Sequence, residues 1–312
     1  MKQVVQEHAG GDPMTSRRWV RRSLRNLSAD LKKQGHRVCP NTVRRLLRQQ
    51  GISLRSNVKR LAGPPHPDRE TQFQHITRQR RAFARRGLPE LSIDAKKKEL
   101  IGNFKNPGRS WRHEAESVNT YDFIHDAQCR ATPYGIYDTR TNRGHVCVGT
   151  SADTAAFAVD ALADWWRHHG KASYPQAKEL LLLSDGGGSN GYRSRLWKRS
   201  LQRWCDRSGL RVTVCHYPTG ASKWNPVEHR LFSPISLNWA ATPLRTLGTM
   251  LSCLRGTKTQ TGLRVTAHLN EQTYPTKIKV TNQEMKSLNL QRHETCPQWN
   301  YTISPRSTAS GP

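Results

Sequence analysis

The sequence predicts an α/β fold: a mixed sheet flanked by helices, preceded by a small all-α module. Three observations carry this. Glu179–Ser184 is a continuous aliphatic run ending in a polar residue, the pattern of a strand buried on both faces. From residue 90 to about 230, strand-like segments come first and then alternate with helical ones, which favours a sheet with helices packed on it. The first 60 residues hold 15 Lys/Arg against 3 Asp/Glu and show helical rather than strand periodicity.

In chain order, residues 1–15 are polar, contain Gly10-Gly11 and Asp12-Pro13, and read as a loose N-terminus. A helical period starts at Ser16, with Leu24, Leu27 and Leu31 on one face and Gly35 as its stop. Pro40 suits the first position of a second helix. Val43, Leu46 and Leu47 form its apolar side, and Arg44, Arg45 and Arg48 its opposite side. Two short helices joined by a tight glycine-containing turn, the second rich in arginine, make a helix-turn-helix over residues 16–55. A solvated basic hairpin is the competing reading.

Residues 56–70, with Gly63-Pro64-Pro65 and Pro67, form a linker. The main domain then runs over residues 71–303. Its expected parts are a basic helix at 71–86, strands at 90–99, 135–137 and 144–149, and a helix at 153–169. The strand at 179–184 follows, then a helix at 190–208, a strand at 210–216 and a helix from Pro226. Beyond residue 242 the periodicity weakens, leaving one expected strand at Ile278–Val280. Residues 304–312 read as a disordered tail.

Composition narrows the partners. The chain has 312 residues and a formal net charge of +28. That excess is self-repelling unless a polyanion is bound, and nucleic acid is the usual one. The seven cysteines are dispersed and form no CxxC pair, so a zinc ribbon is not expected. They read as reduced, buried thiols of a cytosolic protein. No signal peptide or 18-residue apolar stretch is present.

Three carboxylates stand where metal-dependent phosphoryl transfer would want them. Asp94 lies within a strand-like run, where aspartate is disfavoured. Asp185 closes the aliphatic strand, at the end where α/β sheets present ligand groups. Glu228 follows Asn225-Pro226. The intervals are 91 and 43 residues. Two divalent cations held by acidic side chains from separate elements neutralise the attacking and leaving oxygens of a phosphodiester displacement. Each residue also has a structural reading. Asp94 could be an edge residue paired with Lys96 or Lys98, and Asp185 a turn residue. Glu228 could complete a helix cap begun by Asn225. Gly186, Gly187 and Gly188 lack the Gly-Lys-Ser/Thr of a nucleotide loop, so no nucleotide cofactor is expected. They would leave room for a DNA backbone or metal-bound waters. Asn190 would orient a water or cap the next helix. Lys96 and Lys98 would alternate across a strand toward phosphates, and Trp224 would stack on a base.

The segments SIDAKKKELIGNFKNPGR, PYGIYD, DTAAFAVDALADWW, LLLLSDGGGSNGYRSRLWKRSLQ, VCHYPTGASKWNPVEHRLFSPI and WNYTI resemble the ISAzo-type bacterial insertion-sequence transposases. The similarity runs from about Gly11 to Ile303. These enzymes are of the DDE class with an RNase H-like catalytic domain, and WNPVE also resembles the corresponding segment of mariner-like relatives. The resemblance implies that Asp94, Asp185 and Glu228 are the catalytic, metal-holding triad, with Mg²⁺ or Mn²⁺ as two ions. It implies hydrolysis at the ends of an insertion sequence and strand transfer into target DNA. It also implies double-stranded terminal inverted repeats as partner, self-association on DNA, no membrane and a nucleoid-associated cytoplasmic location. Family members carry a longer N-terminal region, which implies a shortened copy here. A DNA-binding remnant or an RNase H-like nuclease is the alternative. Cys39 stands where the family has a serine cap, and Pro234 where it has an aromatic residue.

Overall fold

The computed structural model describes residues 9–11, 18–20, 22–54, 66–119 and 123–306, which fall into two units divided after Ala62. In the first unit, β1 (Ala9–Gly11) and β2 (Arg18–Val20) pair antiparallel. This corrects the expectation of an all-α module with a loose N-terminus and a helix from Ser16. Trp19 and Val20 are good strand formers, and helix α1 (Leu24–Lys33) starts only where Ser23 accepts a hydrogen bond from the Asn26 amide. Helix α2 (Pro40–Gln49) has Cys39 at its cap position without a side-chain cap bond, as sulfur caps poorly. Leu27, Leu31, Val43 and Leu47 form the shared core of α1 and α2. Both helices end the same way. Gly35 and Gly51 take positive φ, and the next amide returns to the last turn (His36 to Leu31, Ile52 to Leu47).

The proline-rich linker at 56–70 falls mostly outside the described residues, and in the second unit helix α3 begins at Arg69, before residue 71 (Arg69–Arg85). The strands are β3 (Glu90–Ala95), β4 (Glu99–Ile101), β5 (Cys129–Asp138), β6 (Arg143–Gly149), β7 (Glu179–Ser184), β8 (Arg211–His216), β9 (Arg264–Asn270), β10 (Leu290–Arg292) and β11 (Asn300–Ile303). They form one mixed sheet in the order β10-β11-β8-β7-β3-β5-β6-β9, with β4 added beside β5. Strands β3, β7 and β8 are parallel, whereas β5 runs against β3. This is the mixed sheet flanked by helices that the sequence led us to expect.

Helices cover both faces. Helices α4 (Ala155–Trp165) and α5 (Arg195–Ser208) bury Phe157, Leu162, Trp197 and Leu201 against Ile93, Ile136, Leu182 and Val214. On the other face, α3 sets Ile76 and Phe83 on Leu181 and Leu183. Further along that face lie a π-helical turn (Glu228–Phe232) and helices α6 (Ser233–Asn238) and α7 (Leu247–Arg255). A last short helix, α8 (Asn282–Lys286), carries a capping box from Thr281 and Glu284. Pro234 neither stops nor breaks this segment. It sits within a continuous helical run, directly after the π-turn, where the hydrogen-bond ladder already departs from regular α spacing.

Two expectations are corrected here. Ile278–Val280 is not a strand. Lys277 takes positive φ, incompatible with extended pairing. Ser304 to Arg306 are ordered, with Arg306 ion-paired to Asp206, while 307–312 lie outside the described residues. All cysteines are free, and Cys147, Cys205, Cys215 and Cys296 are buried as expected, but Cys39 is exposed and Cys129 and Cys253 half-buried. Among the described residues no helix is long and apolar enough to cross a membrane.

Candidate active site

Parallel pairing of β3 and β7 sets Ile93 beside Ser184. The next residues on the two strands, Asp94 and Asp185, therefore come out side by side at the carboxyl end of the sheet centre. Asp94 is consequently not an edge residue, which removes the pairing with Lys96 or Lys98 as its explanation. Antiparallel pairing sets Gly135 of β5 on its other side. A Cβ at Gly135 would stand 2.4 Å from the Phe232 ring. The bare glycine thus lets the π-turn that carries Glu228 lie directly on the sheet beside Asp94.

A buried polar latch fixes the second approach. The Asn225 side chain is fully buried. Its amide donates to the Ile93 carbonyl (3.2 Å) and to Asp185 Oδ1 (3.2 Å). Its Oδ1 accepts from the Ser92 hydroxyl, and Ser92 Oγ in turn accepts from the Val227 amide at 2.8 Å. Asn225 therefore does not cap its own helix. Ser92, from the neighbouring strand, supplies the acceptor instead, which leaves Asn225 free to tie β3, β7 and the Glu228 turn together.

Burial and neighbouring like charges raise the proton affinity of the two aspartates. Burial is the largest cause that raises Asp94, to about 8, and the charges of Asp185, Glu228 and Asp153 add to it against a hydrogen bond from the Ala95 amide. Asp185 rises to about 6, mainly through burial, opposed by the Asn225 amide and reinforced by Glu228. Behind Asp185, the buried His216 places Nδ1 2.9 Å from the Asp185 carbonyl oxygen and Nε2 3.2 Å from the Tyr301 hydroxyl. Burial lowers His216 to about 4, so it is a neutral bracket at physiological pH.

Asp94, Asp185, Gly186, Gly187 and Gly188 line one cavity of about 690 Å³, together with Tyr192 and Arg193. Glu228 does not line it and sits half-buried in the π-turn. Gly188 takes positive φ, and neither it nor Gly187 has anything within 4 Å of an added Cβ. Asn190 is buried with Nδ2 unpartnered among the described residues, and it caps nothing, since Ser194 caps α5.

The basic and aromatic candidates separate. Residues 96–98 link β3 to β4 rather than alternating along a strand. Lys96 is committed, 2.7 Å from Glu99 and 4.8 Å from the Trp239 ring centre, which takes it away from phosphates. Lys98 is exposed, and its charge lowers Asp153 against the larger effect of burial. Trp224 is exposed, with Lys223 over its ring and Phe73 at its edge. Arg44, Arg45 and Arg48 are exposed along α2 in the first unit. Sequence reasoning missed Ser92, Gly135, Asp153 and His216. Only a strand register could have singled out the first two.

A family model described as the Rhodopirellula transposase DDE domain matches residues 1–305. No curated protein matches the chain. Among solved structures, the Mos1 transposase paired-end complex with left transposon end is similar at a TM-score of 0.43 and 14% identity, covering 80% of this chain and 66% of that chain. The mariner Mos1 paired end complex with Mg is similar at 0.43 and 13%, covering 80% and 66%. The chain thus spans 66% of the length of these Mos1 chains. With a match that takes in nearly its whole length, the chain belongs to the family of transposase DDE domains.

Proposed function

We propose that Asp94, Asp185 and Glu228 hold two divalent cations, Mg²⁺ or Mn²⁺, and that the chain cleaves and joins DNA at the ends of an insertion sequence. The observation that carries this is the side-by-side emergence of Asp94 and Asp185 from parallel strands, with the Glu228 turn latched to both through Asn225. The donor set fits hard cations, because carboxylate oxygens suit Mg²⁺ and Asp94 is buried within reach of the like charges of Asp185 and Glu228. The chemistry that such cations supply when bound is neutralisation of the attacking and leaving oxygens of an in-line displacement.

The protein's own residues do the positioning. Asn225 and Ser92 fix the spacing of the three acids, and His216 holds the Asp185 backbone. The glycine loop after β7 leaves the cavity open to a phosphodiester backbone, and Lys98 is exposed for a phosphate contact. Helices α1 and α2 serve as a helix-turn-helix, with Arg44, Arg45 and Arg48 on the phosphates of terminal inverted repeats. Trp224, exposed beside Lys223, offers a ring for base stacking. Two copies act together on paired ends, in the bacterial cytoplasm with the nucleoid DNA.

The test is nicking and strand transfer on DNA carrying the element's ends, with Mg²⁺. Asp94→Asn, Asp185→Asn and Glu228→Gln should each abolish both steps while leaving DNA binding intact. Cleavage that survives all three rejects the assignment. Cleavage without a joined product favours a nuclease, and binding without any cleavage favours a DNA-binding remnant.

A further inference from the structure

A second constellation lies at the far edge of the sheet. Strands β6 and β9 pair in parallel, with His145 beside Thr266 and Cys147 beside His268. Their alternate side chains face the end of α4. There the chain widens into a π-helical turn, Trp166–Gly170, carrying His168 and His169. A π-turn inserts an extra residue against the regular hydrogen-bond ladder, and such insertions collect at functional sites.

The ring nitrogens converge. His145 Nδ1 and His169 Nε2 stand 3.0 Å and 3.1 Å from the same Thr266 hydroxyl. One ring nitrogen from each of His145, His169 and His268 lies within 4.8 Å of the others. His145 is 1% exposed, and its Nε2 is bonded to Asp164 Oδ2 at 3.0 Å. His145 is buried and His169 and His268 are half-buried, and three imidazoles from three separate elements place their nitrogens around one point, a convergence that a metal ion can use.

We propose that His145, His169 and His268 form a Zn²⁺ site in which Asp164 orients His145. Imidazole nitrogens suit Zn²⁺ at about 2.0–2.1 Å, whereas Mg²⁺ demands oxygen. The carboxylate–histidine pair is the usual outer support of such a ligand, since it fixes ring orientation and tautomer. Ion entry displaces the Thr266 hydroxyl from between the two rings. The three nitrogens then draw in by about an ångström to reach bonding distance. A cavity of about 860 Å³ lined by His268 and Asp164 gives the ion an approach from the His268 side. The site lies on β6 and β9, not on β3 and β7, and its chemistry is nitrogen rather than oxygen. It would clamp the π-turn to the sheet edge.

The experiment uses the full chain, stripped with chelator and titrated with ZnCl₂ in excess Mg²⁺, which occupies carboxylate sites. One Zn²⁺ per chain is expected, with a rise in Tm. His169→Ala and His268→Ala should weaken binding more than ~100-fold and Asp164→Asn by about 10–100-fold. The Asp94→Asn, Asp185→Asn, Glu228→Gln triple variant should bind Zn²⁺ as the wild type does. X-ray absorption on Zn-loaded wild-type protein needs no variant to fold and should show imidazole scattering. No bound Zn²⁺, unchanged binding in both histidine variants, loss of Zn²⁺ in the carboxylate variant, or an oxygen-only shell would each overturn the proposal.

Discussion

Replacing Asp94 by asparagine should make the metal-free protein harder to unfold, although it removes a residue assigned to the reaction. The reasoning starts from Asp94 being held near 8 in the folded chain, chiefly by burial and then by Asp185 and Glu228, against an ordinary value of 3.8. An acid whose folded value is raised binds its proton more tightly folded than unfolded. The folded state therefore carries the extra proton between pH 4 and 8, and stability declines as pH rises through that window. At pH 7 the penalty is on the order of 4 kcal/mol, with each tenfold in proton affinity worth about 1.4 kcal/mol. Asparagine keeps the oxygen that accepts from the Ala95 amide and never ionises. Urea unfolding in EDTA at pH 5, 7 and 8 reads this directly. The variant and wild type should lie close at pH 5 and separate by several kcal/mol by pH 8, with the variant more stable. Saturating Mg²⁺ should narrow the gap, because the cation stabilises only the chain that has the full carboxylate set. A gap that does not grow with pH would refute the claim that Asp94 is buried among like charges.

Two further outcomes follow from other parts of the molecule. Ser92→Ala removes the acceptor of the Val227 amide and the donor to Asn225 Oδ1, both buried. It should cost about 1–3 kcal/mol in urea unfolding and slow nicking without abolishing it, since no carboxylate is lost. In the first unit, converting Arg44, Arg45 and Arg48 to alanine should lower the salt dependence of DNA affinity. The slope of log affinity against log salt should fall by about 0.9 for each lost phosphate contact. An unchanged slope in a salt titration would remove α2 from the DNA interface.

Much of the candidate site was legible because its acids stand out by conflict with their surroundings. Asp185 comes one residue after a run of four leucines, so it stands at the tip of a buried strand. Asp94 follows four buried residues near the end of its strand. Long periodic elements such as α4, α5 and β7 followed for the same reason, since their apolar spacing extends over enough residues to choose one period. What stayed hidden depends on partners distant in the chain. Ser92 gains its role from Asn225 and Val227, more than 130 residues away. Asn225-Pro226 reads locally as a helix cap, and only the adjacent strand shows that another residue does the capping. Strand β9 has weak alternation, Val265 and Ala267 between half-buried neighbours, and exists because β6 offers an open edge. The π-turn under Glu228 arises where Leu231 and Phe232 press into the space left by Gly135 and Gly144, a fit no local pattern encodes. The ribbon β1–β2 is three residues per strand, too short for any periodicity.

The most direct measurement of the central claim is the position of Mn²⁺ in crystals soaked at neutral pH, read by anomalous scattering. The account predicts peaks bounded by Asp94, Asp185 and Glu228, with Glu228 among the ligands. Mn²⁺ found only elsewhere, or held by Asp94 and Asp185 without Glu228, would contradict it.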